Sequence, residues 1–277
     1  MGAGKTSAID LTATVKDALE PPAQPRARGA LGGPLLPALI AFVAIVGIWQ
    51  FLVTFLDLPT ILIPGPGAVA EAFWHDLRNG IYLSHGATTL QEMLWGFVVG
   101  SALGVLAAAV LSEIPLMERM FYPYLIALQT FPKIAVAPLL ITWFGFGIGP
   151  KAILAGVLAF FPVLINMMIG LRAVDAAQIE LLRSFMAGRW KVFWLCRLRA
   201  SLPFFFAAIE TGIVLAMLGA ITGEFVGAQS GLGYLVVQKN AVMSIDGVFA
   251  LLIVLGIIGV GLHLAVRAIH HRVVFWE

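Results

Sequence analysis

Six windows of this chain carry apolar runs that reach or approach the length needed to cross a bilayer: residues 35–56, 94–111, 120–144, 152–171, 204–226 and 248–269. A hydrocarbon core of about 30 Å takes around 20 helical residues, so the chain reads as an all-α polytopic membrane protein with about six transmembrane helices. Composition agrees: 60% of residues are hydrophobic and 12% charged, where a soluble domain has roughly a quarter charged. Residues 1–33 are expected to be a disordered cytoplasmic tail, and residues 34–277 the membrane domain. The third window is interrupted by Pro132 and Pro138, which remove backbone donors and should kink or break the helix. Such a break is tolerated where neighbouring helices or a water-filled cavity satisfy the freed carbonyls, and it marks a pathway-lining element.

Residues 172–203 hold Arg172, Arg183, Arg189, Lys191, Arg197 and Arg199 against only Asp175 and Glu180. Positive charge concentrated between two spans marks a cytoplasmic loop. With the N-terminus inside, the cytoplasm also receives Lys5, Lys16, Arg26, Arg28, Arg119, Arg267 and Arg272, while the outside receives Arg78, Lys151 and Lys239, and Lys133 stays within a span. Both termini are therefore expected in the cytoplasm, with outer segments at 57–92, 145–151 and 227–247. The net charge of +2 is too small for a nucleic-acid partner, and the single Cys196 excludes an intrachain disulfide.

In the tail, Gly4-Lys5-Thr6 imitates the end of a phosphate loop but lacks the earlier glycine and the preceding strand. Met1-Gly2 with Thr6 fits a loose myristoylation pattern, from which a chain with six spans gains nothing. No apolar core of a cleavable signal peptide adjoins the charges. After Pro64-Gly65-Pro66, the residues Ala70, Phe73, Trp74 and Leu77 recur at helical spacing and predict a short amphipathic helix at the outer interface. His75 and His85 lack a companion carboxylate at ligand spacing and read as surface or interface residues rather than a metal site.

Gly96, Gly100 and Gly104, followed by Ala107 and Ala108, form a small-residue ladder that lets two helix backbones approach closely, within one subunit or between two. Ionisable groups inside a span are costly and mark function. Glu210 and Glu224 lie about 21 Å apart along one helix at 1.5 Å per residue, too far to act as an acid–base pair. Glu210 is expected toward the cytoplasm and Glu224 toward the outside, in a gating contact, in a pair with Lys133, or simply at the interface. Gln129, Phe131, Lys133, Asn166, Glu210 and Glu224 are the pathway candidates. No nucleophile elbow, zinc-binding His pair or phosphate loop is present to carry bond chemistry, which leaves transport.

The run 131–151, opening on Phe131-Pro132-Lys133 and closing on Gly147-Ile148-Gly149-Pro150-Lys151, resembles the third-span signature of the membrane subunit of ABC importers in the nitrate, sulfonate and taurine group. Further pieces at 63–69, 160–166, 180–187 and 223–235, and a terminal Trp276, follow in the same order. The similarity covers roughly residue 35 to the C-terminus. It implies the type I ABC importer permease fold, an inner-membrane location, two cytosolic ABC ATPase subunits that carry ATP and Mg, an extracytoplasmic solute-binding protein and a second permease copy. It implies no cofactor bound by this chain and no enzymatic activity of its own.

In that family the long cytoplasmic loop carries Glu-Ala-Ala-x3-Gly-x9-Ile-x-Leu-Pro and forms short coupling helices that dock into the ATPase. On this chain Glu180 takes the acidic position, Leu181 and Leu182 replace the alanines, Met186 the glycine, Cys196 the isoleucine and Arg199 the proline, while Leu198 is kept. The resemblance thus implies an ATPase-coupling set of Glu180, Leu181, Leu182, Arg183, Phe185, Met186, Ala187, Arg189 and Trp190. The solute implied is a small nitrate-, sulfonate- or taurine-like anion or another organic anion. Two competing readings remain at this stage: an ion-coupled secondary transporter exchanging protons at Glu210 or Glu224, and a structural scaffold packed through the glycine ladder.

Overall fold

A computed structural model describes residues 35–274; the tail with its Lys5, Lys16, Arg26 and Arg28, and the terminal Trp276, lie outside the described residues. The chain forms two units, Met1–Trp49 and Gln50–Glu277, and an apolar helix, α1 (Leu35–Phe55), passes from the first into the second. The second unit continues with α2 (Pro66–Arg78), α3 (Ile81–Glu113), α4 (Pro115–Thr130), a 3-10 turn (Lys133–Val136), α5 (Ala137–Phe144) and α6 (Ile148–Arg172). There follow α7 (Ala176–Ser184), α8 (Arg189–Val192), a π turn (Phe193–Arg197), α9 (Leu198–Gly227), α10 (Leu232–Ala241) and α11 (Ile245–Val273). Among the described residues five helices are long and apolar enough to span a membrane, and α4 with the segment Lys133–Phe144, bent by 81° at the break between them, makes up to six if that pair is one span.

The bend falls where proline chemistry puts it. Phe131, before Pro132, is held extended at φ −64 and ψ 136, as the proline ring demands of its predecessor. Pro138 does not break a helix; it sits in the first turn of α5, where a missing N–H leaves no bond unmade.

Three expectations change. First, α3 begins at Ile81 rather than near residue 94, directly after Gly80 turns the chain at φ +70. Its opening turns carry Ser84, His85, Thr88, Thr89, Gln91 and Glu92, which dilute the hydropathy although the helix continues. Second, the expected loop 172–203 is a loop only in its first half, because from Arg189 the chain is helical through the π turn to Gly227. Pro203 is thereby inside α9 and not at its start. Third, in α2 the buried positions are Val69 and Asp76, with Phe73 against Tyr82, while Trp74 and Leu77 stay exposed.

The core is a three-helix packing of α3, α6 and α9. The glycine ladder is spent within the subunit: a Cβ on Gly96 or Gly100 would run into the α6 backbone at Ala152 and Gly156, and one on Gly104 would lie 2.9 Å from the Phe160 carbonyl. From α9, a Cβ on Gly219 would lie 2.7 Å from Ala155 Cα. Around these contacts lie Met93, Ala155, Ala159, Ile213 and Ala216 toward one end and Val163, Leu164, Met167, Met168 and Ala208 toward the other. Backbones this close exchange dispersion contacts that replace the hydrophobic drive absent between helices in lipid.

Gly100→Ala should lower stability by about 1–3 kcal/mol through overpacking, whereas Gly261→Ala, with open space around it in α11, should be neutral or slightly stabilising. Thermal unfolding of the two variants in detergent separates the effects.

Candidate functional site

At one end of the three-helix core, charges are buried together. Lys151, in the first turn of α6, donates to Glu92 Oε1 of α3 at 2.9 Å, with relative side-chain exposures of 4% and 0%. Glu224, near the end of α9, is buried as well and in side-chain contact with Glu92. Its Oε2 accepts from the N–H groups of Gly233 at 2.5 Å and Tyr234 at 3.2 Å. His85 Nδ1 accepts from Gly231 N–H at 3.1 Å, and Thr89 Oγ1 accepts from Leu232 N–H at 2.8 Å. Four successive donors at the N-terminus of α10 are thus satisfied by side chains of α3 and α9, which a helix with no cap of its own requires. Gly231 makes the entry, at φ +114 and so close to the Glu224 carboxyl that a Cβ would collide with it.

Glu224 was expected at the interface, in a gating contact or paired with Lys133; the structure buries it and gives it the α10 backbone instead. Lys151 and Glu92, assigned to outer segments, are core residues. The missed signal was the polar face of α3, in which His85, Thr89 and Glu92 follow at helical spacing. Farther along α10, Lys239 pairs with Asp76 Oδ2 of α2 at 2.7 Å. Burial raises the Asp76 carboxyl, but the Lys239 and His75 contacts outweigh it and hold it below its ordinary value.

At the other end, α6 gives way to the elbow. Asp175 caps α7 by accepting from Ala177 N–H at 3.0 Å, so the short helix starts where the sequence can close it. Beyond α7 the chain turns on Met186 at φ +58, a left-handed conformation that glycine takes without strain. Leu181, Phe185, Met186 and Trp190 are 59%, 74%, 92% and 76% exposed, a largely uncovered apolar surface on which Trp190 meets Phe193 edge to face. Glu180, Arg183 and Arg189 are exposed too, and Leu182 and Ala187 are half-buried. The elbow is braced: Arg197 reaches Glu113 Oε1 at 2.6 Å, Arg189 donates to the Glu113 carbonyl at 2.7 Å, and Arg172 pairs with Glu118. Three of the arginines that marked this segment are therefore held by two acids, Glu113 at the end of α3 and Glu118 in the first turn of α4.

The pathway candidates do not converge. Gln129, Phe131 and Lys133 gather at the helix break, where Lys133 Nζ donates to the Gln129 carbonyl at 2.7 Å and lies 4.5 Å from the Phe161 ring centroid. A cavity of about 210 Å³ beside them is lined by Leu128, Phe131, Lys133, Leu140 and Phe161. Asn166 donates to the Pro162 carbonyl within α6. Glu210 sits 3.1 Å from His270 Nδ1 of α11, with Phe206 stacked on the imidazole.

Residues 100–275 match the family described as binding-protein-dependent transport system inner membrane component. The chain belongs to this family. It is 32% identical to the riboflavin transport system permease protein RibX of Chloroflexus aurantiacus, over 88% of this chain and 91% of that one. It is 29% identical to SsuC of Bacillus subtilis, a permease named for aliphatic sulfonates, over 90% and 88%. A chain of the inward-facing MetNI methionine ABC transporter shares the fold at a TM-score of 0.55 and 20% identity, covering 76% of this chain and 98% of that one. The protein is thus a multi-pass inner-membrane ABC importer permease of the nitrate, sulfonate and taurine group with the type I fold, a transport component rather than an enzyme.

Removing Lys151 from this permease strands the buried Glu92 carboxylate. Lys151→Met should cost about 3–5 kcal/mol, with much of the loss recovered in Lys151→Met/Glu92→Gln, measured by thermal unfolding of the purified variants. Asp76 gives a pH prediction. Its folded pKa is depressed, so its pairing contributes fully above the unfolded value of 3.8 and is lost as pH falls through the folded one. Stability should decline below about pH 4, and Asp76→Asn should flatten that acid limb.

Proposed function

We propose that this permease works as one of two identical copies in an ATP-driven importer. Two cytosolic ABC ATPases bind ATP and Mg and grip residues 172–203 from beneath, and an extracytoplasmic solute-binding protein delivers solute from the other side. The N- and C-termini then face the cytoplasm, and this chain binds no cofactor. The observation that carries the reading is the uncovered apolar surface of Leu181, Phe185, Met186 and Trp190, spread over the end of α7 and the start of α8, on an elbow braced to Glu113 through Arg189 and Arg197. Short amphipathic helices of this kind insert into grooves, and the brace lets a push on the elbow reach the spans.

ATP closure of the ATPase pair supplies the differential binding that shifts the permeases between inward- and outward-facing states. The carried solute is a small organic anion or related small polar molecule; the sulfonate and riboflavin names of the relatives bracket that range. Lys133 and Gln129 at the helix break offer a cation and an amide where such a solute would pass. Family membership favours this over proton exchange at Glu210 or Glu224 and over a scaffold without flux.

The permease reconstituted with its ATPase and binding protein should accumulate solute only with ATP and be insensitive to an uncoupler. Leu181→Asp/Phe185→Asp should cut uptake at least about tenfold, the effect of roughly 1.4 kcal/mol of lost coupling, with insertion unchanged. Uptake that proceeds without ATPase and collapses with the uncoupler would defeat the proposal.

A further inference from the structure

Where α3, α4, α6 and α7 meet behind the elbow there is a polar cavity of about 430 Å³, lined by Ser112, Glu118, Arg119, Arg172, Ile179 and Arg197 among others. Its charges do not balance within the chain. Arg172 pairs with Glu118, Arg197 and Arg189 share Glu113, and Arg119, itself exposed, has no ion pair or hydrogen bond among the described residues. Four guanidiniums against two carboxylates leave the site net positive. Ser112 adds a hydroxyl that is buried and has no hydrogen-bond partner, and a buried donor without an acceptor is costly. The site therefore suits an oxygen-rich anion.

From this geometry we infer a binding site for a phosphate group, held by Arg119 with the flanking arginines and Ser112. A phosphodiester meets both requirements: it is anionic and presents several acceptor oxygens to planar guanidinium forks. The surroundings favour a phospholipid headgroup over a soluble phosphate. On α4, Leu116 and Met120 flank Arg119 and are 68% and 56% exposed, so a cation is bordered by apolar surface as an amphiphile needs. Basic pockets between spans at a membrane face are suited to anionic headgroups. Neither the carried solute nor the ATPase enters this argument, so it stands or falls separately from the transport reading.

The test uses the full permease purified in detergent and titrated with phosphatidylglycerol or phosphatidylcholine, with bound lipid counted by native mass spectrometry. The wild type should hold phosphatidylglycerol more tightly than phosphatidylcholine. Arg119→Gln should bind phosphatidylglycerol about fivefold more weakly, the share of one basic residue near a charged surface, and Arg119→Lys should retain most of it. Because Arg119 has no partner, Arg119→Gln should unfold at the wild-type temperature in the absence of lipid, which separates lost binding from lost folding. Glycerol phosphate in competition distinguishes the sources: displacement of the lipid by it at equal concentration identifies a soluble phosphate ligand, and resistance identifies the headgroup. Equal binding of the two lipids, or a phosphatidylglycerol affinity unchanged in Arg119→Gln, overturns the site.

Discussion

Everything else in this permease depends on α6 lying against α3 and α9 at backbone contact. Gly96, Gly100 and Gly156 meet without side chains between them, and Gly219 of α9 meets Ala155. In lipid no hydrophobic force gathers helices, so the fit of small residues and the polar contacts at the ends must supply the association. The short separation is also what allows those polar contacts to exist. Lys151 reaches Glu92 only because α6 begins one side chain's length from α3, and Gly223 lies against the Lys151 stem, with a Cβ there meeting Lys151 Cγ at 3.0 Å.

The charges then divide between two ends with different chemistry. Toward α10 they are buried, and their role is positional: Glu92, Lys151 and Glu224 are expensive to desolvate, and what they specify is the seating of a ten-residue helix by its first four N–H groups. Toward the elbow they are partly exposed, Arg197 and Glu113 each at 26% side-chain exposure, and are worth less in stability. Their effect is geometric, since they fix the angle at which α8 and the π turn leave the core.

Much of this was legible in the sequence, and the rest was hidden for identifiable reasons. Apolar length gave the spans because a bilayer imposes a ruler, and Pro132 located the break because its effect on Phe131 is local. The glycine ladder announced close packing but could not name its partner, because spacing on one helix carries no information about another. Helix α10 was invisible: Leu232–Ala241 has no cap or strong periodicity of its own, and its N-terminus is completed by residues some 140 positions away in sequence. The ion pairs of Glu113 and Glu118 escaped for the same reason. Counting charge within one segment cannot see acids that the fold brings to it. At Met186 the resemblance predicted a glycine, and the backbone shows why: the turn is left-handed whichever side chain occupies it.

The distribution of ties also says where motion can occur. Glu92 and Glu113 are about 30 Å apart along α3 at 1.5 Å per residue, and both ends of that helix are cross-linked, one to Lys151 and the α10 cap, the other to Arg197 at the root of α9. Sliding α3 against α6 or α9 would break contacts at both ends and drive Cβ-free positions out of register, so these three helices move as one body. By contrast, α4 buries none of its residues in the subunit, and it joins α5 through a break bent by 81°. The Phe131–Pro132 break, beside the Lys133 ammonium, is therefore the place along the described helices where the ties to the three-helix core are fewest.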